Sequence, residues 1–64
     1  MLDFWFKATW RDRDGWEITH TFNRCASSRK EAEKHAKQYF EWFDEKIPRA
    51  FNFIGIELIK VEEI

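Results

Sequence analysis

One cysteine, Cys25, cannot close an internal disulfide, so the chain does not belong with the small secreted scaffolds that rely on such crosslinks; a reducing, cytoplasmic setting is expected. One proline and two glycines are too few for a linker or a low-complexity stretch, and no repeat is visible, so residues 1–64 read as a single cooperative domain. No long apolar run exists either. The segment Met1 to Trp10 is apolar but carries Asp3 and Lys7, lacks a basic leader, and is far shorter than the roughly 20 residues of a membrane span, so it reads as a strand and no membrane association is expected. Charge of one sign is also missing: eleven basic and twelve acidic side chains leave −1, which fits neither a strongly basic nucleic-acid binder nor an acidic mimic of DNA. No nucleotide, metal or catalytic motif stands out.

Aromatic residues, by contrast, are abundant: seven Phe, four Trp and one Tyr. A chain of this length buries only about 60% of its unfolded surface and is marginally stable without a disulfide, a metal or a partner. One helix on one sheet has a single interior face to fill with large side chains, so aromatics that cover more than one face point to a contact with something else.

Two strands open the chain. Leu2 to Trp10 and Trp16 to Phe22 flank Arg11-Asp12-Arg13-Asp14-Gly15, where Asp14-Gly15 suits a type I turn followed by a left-handed glycine bulge. Pairing Asp12 with Trp16 sets Trp10 opposite Ile18, Thr9 opposite Thr19, Ala8 opposite His20 and Phe6 opposite Phe22. One face then carries Phe4, Phe6, Ala8, Trp10, Ile18 and Phe22, and the other carries Trp5, Lys7, Thr9, Arg11, Glu17, Thr19 and Thr21. A helix follows from Ser28, with Glu31 to close a capping box, to about Glu45, before Pro48 forbids its continuation. Its apolar stripe is Ala32, Ala36, Tyr39, Phe40, Phe43 and Ile47, with Trp42 beside it. Phe51 to Val61 reads as a third strand, with Ile54, Ile56 and Leu58 on the helix side and Phe53, Ile59 and Val61 on the other. The expected fold is therefore α+β, ββαβ, a three-stranded antiparallel sheet of order 2-1-3 packed against one α-helix.

In that arrangement the face turned away from the helix shows Trp5, Phe53, Ile59 and Val61 beside Lys7. An apolar patch of a few hundred Å² commonly marks an interface, so these residues, with Trp42, are the expected contact with a protein partner or a second copy of the chain. The helix has an inverted charge order, with Arg29, Lys30 and Lys34 at its positive end and Glu41, Asp44 and Glu45 at its negative end. Together with Arg24, the three cations form an expected anion-binding cluster at the helix start, opposed by the reading that Glu62 and Glu63 return to neutralise Arg24 and Arg29. His20, Cys25 and His35 match no zinc spacing. His20 instead belongs at the core edge, bonded to Tyr39 or Asp44, and Cys25 in a small gap at the strand-to-helix turn. No metal, no cofactor and no enzymatic activity are expected.

The run Trp10-Arg11-Asp12-Arg13-Asp14-Gly15-Trp16, then Thr21-Phe22, then Ser27-Ser28-Arg29-Lys30-Glu31-Ala32-Glu33, resembles the hairpin and helix start of the arm-type DNA-binding domains of tyrosine recombinases. The resemblance covers about half of the chain and implies a three-stranded sheet on one helix whose sheet face lies in a DNA major groove. That family places three strands before its helix, whereas two precede it here. In size and style the chain also resembles the small accessory proteins of bacteriophages and mobile elements, among them inhibitors of host-defence nucleases. Binding to a protein partner is accordingly the first reading of function, and nucleic-acid binding through the sheet and the basic helix start is the second.

Overall fold

The computed structural model describes residues 1–64 as β1 (Leu2–Arg11), β2 (Glu17–Ala26), α1 (Arg29–Asp44) and β3 (Asn52–Glu63). The sheet is antiparallel throughout and ordered β2-β1-β3, so the ββαβ, α+β arrangement is as expected, with β1 in the centre. No helix is long and apolar enough to cross a membrane.

The hairpin register follows from its turn. Gly15 donates to the Asp12 carbonyl at 3.3 Å, Asp12 donates to the Trp16 carbonyl at 3.0 Å, and Gly15 takes φ +89, the left-handed conformation that glycine adopts at least cost. The Asp12 carboxylate also accepts from the backbone of Asp14 and Trp16, at 3.0 and 2.9 Å. From there every expected pair forms, Trp10 with Ile18 through Phe6 with Phe22. Pairing then continues beyond Phe22 to Leu2 opposite Ala26, so β2 is four residues longer than its apolar alternation suggests.

Ser28 caps α1 from an extended backbone, its hydroxyl accepting from Glu31 N at 3.3 Å. The Glu31 carboxylate accepts from the Ser27 hydroxyl at 3.3 Å, one residue before the position that a capping box would give it. Ala32 and Ala36 are buried and allow close approach to the sheet, while Tyr39, Phe40 and Phe43 fill the wider end.

Eight residues are buried: Phe4, Phe6, Ala8 and Trp10 from β1, Phe22 and Ala26 from β2, and Ala32 and Ala36 from α1. None comes from β3. The helix lies over β1 and β2, and no Cα of α1 comes within 8 Å of a Cα of β3. At the opposite end of the sheet from the turn the termini meet, with Ile64 N donating to Met1 O at 3.5 Å.

Candidate interaction surface

β3 does not keep one alternation along its length. Its register against β1 shifts between Trp5 and Phe6 and again between Thr9 and Trp10, so Ile59 and Ile54 are extra residues at two bulges. The consequence corrects the expected facing of this strand. Phe53 is paired with Trp10 and Val61 with Phe4, so both stand on the helix side, while Gly55, Glu57 and Lys60, opposite Thr9, Lys7 and Trp5, stand on the outer side. Phe53 confirms its side by contact, with its ring centroid 5.9 Å from Trp10 and 4.2 Å from Phe40. Each bulge inverts the parity of the strand, and two adjacent apolar pairs, Phe53-Ile54 and Leu58-Ile59, are its trace in the sequence.

The outer face is accordingly less apolar than the sequence suggests. Trp5 remains there, half-buried, with the Lys60 ammonium 5.1 Å from its ring and its buried indole Nε1 without a partner. Lys7 lies between Thr21 and Glu57. Arg11 is held by Glu17, its Nε 2.8 Å from Oε2, and Lys60 pairs with Glu62 at 2.9 Å. Trp42 is on a different flank of the molecule, 55% exposed, its ring 5.8 Å from Tyr39 and covered on one side by the Lys46 ammonium at 4.6 Å. The residues Trp5, Lys7, Trp42, Phe53, Ile59 and Val61 therefore do not share a single face.

The four cations assigned to the helix start do not converge either. Arg24 extends from β2 so that its guanidinium lies over the Tyr39 ring at 4.1 Å and donates to the Asn23 carbonyl at 2.7 Å, its charge held by an aromatic face and a backbone acceptor. Arg29 is bonded to Glu33 at 2.9 Å on the other flank of the helix, bordering the groove between α1 and β3. Lys30 and Lys34 are exposed and make no ion pair, and Glu62 and Glu63 pair with neither Arg24 nor Arg29.

His20, Cys25 and His35 are likewise separate. His20 is stacked on Phe43 with centroids 4.1 Å apart and bonded through Nε2 to the Tyr39 hydroxyl at 2.8 Å, the first of its two expected partners. Asp44 instead accepts from Trp10. Cys25 is exposed beside Asp3 on the outer face and fills no gap at the turn; the buried residue there is Ala26, because β2 continues that far and alternation turns Ala26 inward. His35 borders the shallow hollow formed by Arg24, Gln38, Tyr39 and Trp42.

What the helix leaves open is the inner side of β3. The groove there has a volume of about 640 Å³, floored by Phe6, Ile56 and Leu58, walled by Ala36, Phe40 and Phe53, and rimmed by Arg29, Glu33, Lys37 and Glu57. Nine large apolar side chains are exposed in the whole chain, and five of them, Phe53, Ile54, Ile56, Ile59 and Val61, are on β3. Such a concentration on one edge strand exceeds the scattered apolar exposure that is ordinary for a protein surface. The shape agrees with this. The Cα radius of gyration is 12.7 Å, against about 10.7 Å for a compact domain of this length. The accessible surface is 4854 Å², against about 4400 Å² for a folded monomer of this mass. Compared with protein-family models, curated proteins and solved structures, the chain matches none.

Proposed function

We propose that this chain is a non-enzymatic interaction protein, which works by binding a protein through the exposed apolar surface of β3 and the groove beside it. The observation that carries this reading is the uncovered strand: β3 supplies none of the buried core and most of the exposed large apolar side chains. The role first assigned to the outer sheet face thus passes to the edge strand and its inner side, with Phe53, Ile59 and Val61 retained as contact residues. The exposed Cys25 thiol supports a reducing, cytoplasmic setting. Capture of a host-defence protein, the use implied by the resemblance to phage accessory proteins, is one task that such a surface could serve.

The nucleic-acid reading has less to support it. Docking on a phosphate backbone requires several free cations on one face, but Arg11 is tied to Glu17 and Lys60 to Glu62, and Arg24 and Arg29 are on opposite flanks of α1.

The test compares the tagged chain with its Ile56→Lys variant, both verified as folded by circular dichroism, for the proteins each retains, untagged copies of the chain included. The reading requires at least one specific partner that the variant loses. Identical retention by the two chains overturns it.

A further inference from the structure

We infer that the partner of β3 is a second copy of this chain, joined edge to edge in an antiparallel β3–β3 pair whose twofold axis passes between Leu58 and Ile59. This rests on the reading of β3 as the working surface and commits it to one occupant. Either edge of the sheet could in principle add a strand. β2 is the poorer candidate, since the helix covers its inner side and its exposed positions are Glu17, Thr19, Thr21 and Cys25. β3 has the unpaired backbone edge, the exposed apolar side chains and twelve residues of length.

The register follows from the bulge. In an antiparallel pair, residues directly opposite each other point to the same face. Across Ile59 the faces of β3 invert, and across Ile54 they invert again, so a pair that runs past either residue keeps like faces opposite only where two inversions offset each other. An axis at Glu57 does this through Ile54 but sets Glu57 against Glu57, and one at Ile56 sets Glu57 against Gly55 and Lys60 against Asn52 with no ion pair. With the axis between Leu58 and Ile59 the Ile59 inversions of the two copies coincide and the faces match. Glu57 of one copy then opposes Lys60 of the other on the outer face, Ile56 opposes Val61 on the inner face, and Gly55 opposes Glu62 on the outer face. Twofold symmetry repeats each pair, which gives two Glu57–Lys60 ion pairs and two Ile56–Val61 apolar contacts over residues 55–62. This charge complementarity singles out the second copy as the occupant. A net charge of −1 per chain opposes the association little. The product is a six-stranded sheet, ordered β2-β1-β3-β3-β1-β2, with both helices on one side and the two grooves merged into a single trough between them.

The test exchanges charges in the full chain and measures molar mass against concentration by light scattering. Wild type is expected to dimerise. Glu57→Lys and Lys60→Glu each replace two opposite-charge pairs with two like-charge pairs, so each is expected to weaken the dimer by roughly tenfold or more. Mixing the two variants restores it, since position 57 of each variant then faces the opposite charge at position 60 of the other. Because the mixture contains the same two chains, it also controls for the loss of the Lys60–Glu62 pair within one copy. If either variant fails to fold, amide hydrogen exchange of the wild type decides: protection of β3 must rise with protein concentration while that of β2 does not. A monomeric wild type overturns the inference, and so does a dimer indifferent to both charge reversals. Should either occur while Ile56→Lys still abolishes retention of another protein, β3 remains the binding surface and only the identity of its occupant is wrong.

Discussion

Trp10, in the central strand, donates its indole N–H to the carboxylate of Asp44, in the last turn of the helix, across 2.8 Å. Trp10 is only 1% exposed and has the largest fully buried side chain of the protein, so its one polar atom requires a partner inside the fold. Asp44 supplies it at the helix end where a negative charge is least favoured by the backbone dipole. The inverted charge order of α1 therefore has a structural reason at this position: a carboxylate is kept there to satisfy an indole. Asp44→Ala should destabilise the fold by about 1–3 kcal/mol by leaving the indole unpaired, and Asp44→Asn by less, since an amide oxygen still accepts and the dipole penalty is removed. Urea denaturation of the three proteins measures both, and equal losses for Ala and Asn would dismiss the hydrogen bond as the cause.

Gly15 holds φ +89 with open space where a Cβ would be built, so the cost of a side chain there is conformational and not steric crowding. Gly15→Ala should cost about 1–2 kcal/mol, and Gly15→Asn less, because asparagine tolerates the left-handed region better than alanine does. The order of the two denaturation midpoints is the readout.

Tyr39 gathers the β2 side of the helix. Its hydroxyl meets His20 at 2.8 Å and its ring lies beneath the Arg24 guanidinium at 4.1 Å. Tyr39→Phe removes the first contact and keeps the second, for an expected loss of about 0.5–1.5 kcal/mol in urea denaturation; Tyr39→Ala removes both along with the packing and should cost clearly more.

The corrected facing of β3 predicts an asymmetry between neighbours. Phe53 touches Trp10 and Phe40, whereas Ile54 is at a bulge beside Lys7 and Thr9. Phe53→Ala should destabilise the chain by about 2 kcal/mol, below the range for a fully buried phenylalanine because the residue is 42% exposed, and Ile54→Ala by less than about 1 kcal/mol. A larger loss at Ile54 would contradict the register of β3.

The parts of this fold that were legible in the sequence are those fixed by local chemistry. Asp12, Asp14 and Gly15 specify a turn, the turn specifies the register, and the register specifies which face of β1 is buried, so Phe4, Phe6, Ala8 and Trp10 could be named as core from the chain alone. Ser28 and the spacing of Ala32, Ala36, Phe40 and Phe43 did the same for the helix. The surface was harder to read, for two physical reasons. A bulge changes the facing of every residue beyond it while leaving composition untouched, and in β3 only the adjacent apolar pairs betray it. Long cationic side chains also choose partners across the fold, as Arg24 does with Tyr39, and a tally of charges near a helix start cannot show that choice. The lean of α1 toward β2, which opens the groove, has no local marker in the chain.

The meeting of Ile64 with Met1 makes the order of elements negotiable. A turn of a few residues could join the termini, and the chain could be reopened in the loop that contains Pro48, where no strand or helix hydrogen bond would be cut. The permuted chain would run β3, β1, β2 and then α1, three consecutive antiparallel hairpin partners followed by the helix, with every spatial neighbour retained. One cut and one splice would thus turn a sheet whose strands are divided in sequence by the helix into one built from three consecutive strands.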